Sequence, residues 1–359
     1  MRNIAEIDRN FQTASVDGMM LEFHNALAAP FAVEGFAWRS PGGPLYRLPE
    51  HFTTAEINKD ALLLAHHTAG GAVRFRTDSA AIVLRARLAA SFDMNHMPRT
   101  GSAGFDLYRR EHGRLVFTAA AQPNRDQKLL EIPLVREAEG GETEYLLNLP
   151  LYGGVEAIDI GLAPGSSVSA PPPHRIAHPV LFYGSSITQG GCASRPGNCY
   201  TSLLCRALDA EQLNLGFSGS GKGEIALAEA IGRLSLSCAV LDYDYNAPDA
   251  AHLEATHGPF FQAIRRRRPD LPILLVSKCD FRGTESDARR REIIRRTYDR
   301  ALGAGDRFVW FLDGETLFGA EERDACTVDG CHPNDLGFYR IYRAMLPVLR
   351  QLIHLKSSR

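Results

Sequence analysis

The stretch VLFYGSSITQGG, Val180 to Gly191, decides how the chain is read. An apolar run ends abruptly in a glycine, two serines and, three residues on, two more glycines. A short apolar run bounded by turn signals reads as a buried strand. Hydroxyls directly after it would stand at the strand's carboxyl end, the edge of an open parallel sheet at which ligands bind. The bland alternative is an ordinary loop. The choice turns on whether the chain holds further strands of this kind, and on the residues each carries at its end.

Four more such runs occur: LNLGF, CAVLDYDY, PILLVS and RFVWFLD. The segments between them have helical spacing. Between Thr284 and Leu302, the residues Ile293, Ile294, Thr297, Tyr298 and Ala301 fall on one helical face, and Thr284 with Asp287 has the form of a capping box. The last segment puts Phe338, Tyr342, Met345, Leu349 and Leu352 on a stripe interrupted by Pro347, which predicts a kinked helix. Strands alternating with helices imply βαβ units and a parallel sheet covered on both faces.

The first half has another texture. From Leu62 to Ala170 it reads as short strands and turns. AVRFRTDSAAIVLRARLAA alternates, breaks at Thr77-Asp78-Ser79 and alternates again. GFDLYRREHGRLVFTAAA repeats the theme around His112-Gly113, and TEYLLNLPLYGG and VEAIDIGLAPG add two more strands. This pattern predicts an all-β sandwich of jelly-roll type. Small residues and prolines crowd Ser167 to Pro179, as in a linker. The organisation expected is a β-domain over 1–170, a linker over 171–179 and an α/β domain over 180–359.

Composition narrows the function. The 359 residues carry a formal net charge of −2, which does not suit a nucleic-acid binder. The basic run Arg265 to Arg268, just before Pro269, reads as a solvated helix end favoured by the helix dipole. No stretch has the length of apolar run that a membrane span needs, and MRNIAEIDRNFQTASVDG does not resemble a secretory signal. The seven cysteines are odd in number and all lie at or after Cys192, which is no disulfide framework. Free thiols in a reducing, cytoplasmic setting are expected.

The residues after each apolar run carry the chemistry. Gly184-Ser185-Ser186 comes after the first. Ser218-Gly219-Ser220-Gly221-Lys222-Gly223 comes after the second, Asn246-Ala247-Pro248 after the third, and TVDGCHPND, with Asp329 and His332, lies beyond the last. A serine becomes a nucleophile when a base takes its proton. A histidine supplies that base, a carboxylate orients it, and backbone N–H groups with an amide side chain can hold an oxyanion. Each part alone has a plainer reading: a loop, a strand end at Asn246, an Asx-turn at Asp329 leading into a helix. The glycine-rich turn lacks the spacing of a phosphate loop. Gly-x-Ser-x-Gly would need glycine where Thr188 stands, so the nucleophile elbow of α/β-hydrolases is not present. A Cys331–His332 thiol pair is a third possibility, disfavoured because adjacent residues rarely face each other.

GSSITQG, GFSGSGKG, DYNAP and DGCHPND together resemble the four blocks of the SGNH (GDSL-like) hydrolases, serine esterases and deacylases of flavodoxin-like α/β fold. The resemblance spans Pro179 to Ile353. It implies Ser186 as nucleophile, Gly219 and Asn246 with Ser186 as the oxyanion hole, and Asp329 and His332 as the rest of the triad, with no metal or organic cofactor. GFDLY, Gly104 to Tyr108, resembles the signature of a β-domain that precedes one branch of this family. Two blocks depart from the pattern. Ser185 stands where the first block usually has aspartate, and Asp244-Tyr245-Asn246-Ala247 keeps only the asparagine of the third. The expected activity is hydrolysis of an ester through an acyl-serine. An acetylated carbohydrate is the first substrate expected; the alternative is an inactive carbohydrate-binding protein on the same scaffold.

Overall fold

The computed structural model describes residues 13–16, 18–90, 93–138, 141–279 and 282–357. The first twelve residues of the stretch that does not resemble a secretory signal lie outside them. In the C-terminal half, strands β12 (Ile176–Gly184), β13 (Ala210–Gly216), β14 (Cys238–Asp242), β15 (Ile273–Val276) and β16 (Val309–Leu312) form one parallel sheet. Its order is β13-β12-β14-β15-β16, the doubly wound arrangement whose switch point lies between β12 and β14. Both faces are buried, which is why the strands read as unbroken apolar runs. Along β12, Val180 and Phe182 enter one core while Leu181 and Tyr183 enter the other.

Two short helices, α1 (Lys59–Leu64) and α2 (Arg99–Ser102), lie in the N-terminal half; longer ones cover the two faces of the parallel sheet. On the first lie α4 (Tyr200–Leu208) and α8 (Asp335–Ser357), from which Phe338, Met345, Leu349 and Leu352 are buried and Tyr342 packs against the core. Helix α8 continues through Pro347. On the second lie α5 (Ile225–Ile231), α6 (Ala250–Arg267) and α7 (Glu285–Gly303). Thr284 caps α7 as expected, its hydroxyl accepting from the Asp287 amide, and Ile293, Ile294, Thr297 and Ala301 are buried. The basic end of α6 is only partly the solvated one expected. Arg265 turns inward, pairs with Asp306 at 2.7 Å and donates to the carbonyls of Leu271 and Phe308, tying the helix to the chain before β15 and β16.

The N-terminal half is two antiparallel sheets. One has the order β1-β2-β10-β5-β8, from β1 (Thr13–Val16), β2 (Met19–Asn25), β10 (Val155–Leu162), β5 (Ile82–Leu88) and β8 (Leu129–Val135). The other runs β11-β4-β9-β6-β7, from β11 (Val168–Ser169), β4 (Ala72–Thr77), β9 (Thr143–Asn148), β6 (Phe105–Glu111) and β7 (Arg114–Ala121), with β3 (Ala32–Glu34) beside β4. Residues of both sheets, Val73 and Phe75 with Ile82 and Leu84, share one core, so the two form a sandwich. The turn at Thr77-Asp78-Ser79 does not close a hairpin. It carries the chain from one sheet to the other. His112 and Gly113, both at positive φ, do close one, between β6 and β7. The linker expected over 171–179 is shorter than that, because β12 already begins at Ile176.

Within that connection His174 joins the halves. Its ring nitrogens lie 3.0 Å from Glu34 of β3 and 3.2 Å from Asp209 after α4. Burial alone would lower the His174 pKa, but the hydrogen bonds to Asp209 and Glu34 outweigh it and raise it to about 9. Asp209 is held at about 2, chiefly by His174. The histidine, raised above its unfolded value, contributes fully below about pH 6.5 and loses its contribution as pH rises through 9. The carboxylate contributes above about pH 3.8 and loses its contribution only as pH falls through 2. We therefore expect the thermal midpoint to fall between pH 6.5 and 9.5 by several degrees more in the unmodified protein than in His174→Gln, since about 1 kcal/mol moves the midpoint of a 150–250-residue domain by about 2–4 °C. Parallel pH profiles of the two proteins would refute this role for His174.

Candidate active site

Ser186, Asp329 and His332 meet at the carboxyl edge of the parallel sheet, beside its switch point, and Gly219 and Asn246 follow the ends of β13 and β14 at the same edge. After β12 the chain turns at Ser185 into a single helical turn, α3 (Ser186–Gln189). Ser185 is fully buried and closes a capping box with Thr188: its hydroxyl accepts from the Ile187 amide, and its own amide donates to Thr188 Oγ1 at 3.2 Å. The residue that stands in place of the usual aspartate is therefore the brace of the turn. Ser186, first in α3, is left free to face the cleft.

Ser186 Oγ lies 2.9 Å from His332 Nε2, and His332 Nδ1 lies 2.7 Å from Asp329 Oδ2. The other oxygen of Asp329 accepts from the backbone amides of Cys331 and His332, at 2.9 and 2.7 Å. The Asx-turn and the carboxylate–imidazole pair are thus one structure: the turn fixes the carboxylate that fixes the ring. Burial works to raise the Asp329 carboxyl, but these bonds outweigh it and hold its pKa at about 2, so the group is ionised. Cys331 makes no nucleophile here. Burial, and then Asp329, push its thiol up, and both nitrogens of its neighbour His332 face other groups.

The three donors expected for an oxyanion follow the ends of β12, β13 and β14. No described residue accepts from the backbone N–H of Ser186 or of Gly219. Gly219 has φ +68°, a conformation that glycine takes at least cost, and space opens beside its Cα. The Asn246 amide nitrogen donates one hydrogen to Phe217 O at 2.6 Å, leaving its second for another acceptor. The turn carrying Gly219 is held by Gln189, whose Oε1 accepts from the Ser218 amide at 2.9 Å.

Several supporting residues carry no signal in the sequence, and most come from the N-terminal half. Gln189 belongs to the quoted first block, so its position at least is visible. Its amide nitrogen reaches Leu151 O at 3.0 Å and His67 Nδ1 at 3.2 Å. Tyr152 is buried, and its hydroxyl bonds Ser218. A methyl group on Gly191 would come within 2.8 Å of that hydroxyl and 3.5 Å of His332 Cδ2, so glycine here lets Tyr152 and His332 close on the Ser186 turn. The His96 ring stands edge-on to His332 at 5.7 Å. Arg47, 1% exposed, donates to His67 O and Leu64 O on one side and to Asn214 O and Gly216 O of β13 on the other. Nothing in a lone tyrosine, arginine or histidine at these positions marks them in a single sequence.

The GFDLY signature acquires a physical meaning. Phe105 and Leu107 point into the sandwich core, and the alternation of a strand sends Asp106 and Tyr108 the other way. The fully buried Asp106 accepts from Arg195 Nη1 and from the Gly197 amide, each at 2.9 Å, and the Tyr108 hydroxyl also bonds Arg195. On its other side this loop is held by Asp335 of α8, which accepts from the Ser194 amide and from Asn198. The N-terminal half thereby fixes the segment that leads away from Ser186. Breaking a buried ion pair by removing one partner costs about 3–5 kcal/mol.

Residues 177–350 match the model of the GDSL-like lipase/acylhydrolase family, and residues 21–168 match the GxDLY model, the N-terminus of the SGNH-hydrolase type of esterase. A search of curated proteins gave no match. Among solved structures, a protein from Bacteroides ovatus described as GDSL-like lipase is 26% identical, with 93% of this chain and 98% of that one covered and a TM-score of 0.83. A salicylyl-acyltransferase from a tetracycline biosynthetic pathway is 20% identical over 93% of this chain and 99% of its own, with a TM-score of 0.77. A family two carbohydrate esterase from Clostridium thermocellum is 14% identical over 80% and 93%, with a TM-score of 0.60. The last two likenesses are of fold.

Proposed function

We propose that this chain, an esterase that belongs to the GDSL-like SGNH hydrolases and carries their GxDLY-type N-terminal unit, cleaves its ester through an acyl-serine formed on Ser186. The observation that carries the reading is the 2.9 Å contact of Ser186 Oγ with His332 Nε2, backed by Asp329 at 2.7 Å. His332 takes the hydroxyl proton as Oγ attacks the carbonyl carbon, and Asp329 stabilises the imidazolium. The backbone N–H groups of Ser186 and Gly219 and the second amide hydrogen of Asn246 receive the oxyanion. The alcohol leaves with the proton from His332. Water, deprotonated by the same ring, then releases the acid and restores Ser186.

For the substrate we propose an acetylated carbohydrate. The support is architectural: the fold likeness extends over 80% of this chain to the Clostridium thermocellum carbohydrate esterase and over 93% of it to an acetyl xylan esterase from Butyrivibrio proteoclasticus. A panel of acetyl, butyryl and longer p-nitrophenyl esters, run beside acetylated xylo- and manno-oligosaccharides, tests both steps. Acetyl esters should be turned over fastest, and acetate should be released from the sugars. Turnover of the aryl esters with no acetate from any sugar would overturn the substrate, and no turnover at all would overturn the reaction.

A further inference from the structure

We propose that His96, Cys192 and His332 form a binding site for a soft divalent cation of the zinc class, and that its occupancy switches off Ser186. One ligating atom from each of the three lies within 4.8 Å of the other two. They come from separate segments. His96 sits on the turn bridged by Met94 and Met97, Cys192 on the loop after α3, and His332 on the loop before α8. Tetrahedral zinc, with bonds of about 2.0–2.3 Å, holds its ligand atoms about 3.5 Å apart. The three atoms must therefore draw together by roughly 1 Å.

Cys192 supplies the inner ligand: it is 4% exposed, with its backbone at φ 76°. His96 is partly exposed on its surface turn, which gives the ion an entry, and its ring already stands beside that of His332. His332 is already oriented as a metal ligand is, with Nδ1 engaged by a carboxylate at 2.7 Å. Its remaining donor atom is Nε2, the atom that faces Ser186 Oγ. One thiolate and two imidazoles favour zinc over magnesium or calcium, and a fourth position stays open to water. On binding, the thiol of Cys192 releases its proton to solvent. The ion then occupies the lone pair that would accept the serine proton, and acylation stops. The inhibition rests on the function proposed above; the binding does not.

Cobalt(II) reports on the site independently of turnover, because a cobalt–thiolate bond absorbs in the near ultraviolet. Titrating the chelator-treated protein with cobalt should give this band at one equivalent. Cys192→Ser should abolish it, Cys331→Ser should retain it, and His96→Ala should weaken binding by at least about tenfold. Zinc should inhibit ester hydrolysis in the unmodified protein, and His96→Ala, referred to its own uninhibited rate, should need at least about tenfold more zinc. His96→Ala carries the test if Cys192→Ser does not fold. No thiolate band, or a band and zinc sensitivity unchanged in His96→Ala, overturns the site. A band at the assigned residues with zinc-insensitive hydrolysis overturns the switch and counts against His332 as the base.

Discussion

Ser186→Ala should lower kcat by about 10⁴–10⁶, while Ser185→Ala keeps most of it. The two serines are neighbours, and the structure of the turn gives them different surroundings. Ser186 faces His332 at 2.9 Å, whereas Ser185 is fully buried and spends its hydroxyl on the Ile187 amide. Losing Ser186 removes the atom that is acylated, and no other hydroxyl is hydrogen-bonded to His332 among the described residues. Losing Ser185 removes a cap, which costs about 0.5–2 kcal/mol of stability. The two variants should therefore separate on two axes: Ser186→Ala inactive with an unchanged melting temperature, Ser185→Ala active and less stable. Steady-state kinetics beside thermal melts read both, and the reverse assignment would mean that the nucleophile has been placed one residue too far along.

The second large effect is expected at Asn246. Asn246→Ala should cut kcat by about 10²–10³ with KM nearly unchanged, because its donor meets the substrate oxygen only once the carbonyl becomes tetrahedral. The hydrogen bond from Asn246 to Phe217 O raises a structural alternative. That carbonyl, however, also accepts from the Ser220 and Gly221 amides, at 2.9 and 3.2 Å, so it stays satisfied without the side chain. The melting temperature should then change little. Asn246→Asp should be at least as damaging, since a carboxylate would face both Phe217 O and the developing oxyanion. A lowered melting temperature with kcat intact in the folded fraction would make Asn246 a structural residue and leave the oxyanion to backbone groups alone.

Much of this architecture is legible in the sequence, for a physical reason. Strands of a parallel sheet are buried on both faces and announce themselves as apolar runs, and their parallel direction gathers the loops at their carboxyl ends along one edge. That logic reaches the loops that carry Ser185 and Ser186, the glycine-rich turn, Asn246, and Asp329 with His332; the choice of Ser186 and of Gly219 within their turns comes from the resemblance to the SGNH blocks. It stops at long-range pairing. β4 and β5 read as neighbours around a turn, yet they belong to different sheets. β8 is interrupted by Pro133, which only an edge strand tolerates. β1, β2 and β3 lie outside the stretch whose alternation marks strands. Tyr152 and His96 reach the site, and Arg47 the end of β13, from the other half of the chain through packing that no local pattern encodes. The inward turn of Arg265 is hidden for the same reason: its acceptors lie at Asp306 and Phe308, far along the sequence.

The acyl-serine itself is tested most directly by trapping. The active protein is treated with a fluorophosphonate, which phosphonylates an activated serine, and is digested for peptide mass mapping. The adduct should sit on Ser186 at one per chain, and prior exposure to an ester substrate should slow its formation. An adduct on Ser185 or on another residue, or full esterase activity in protein that takes up no label, would contradict the account.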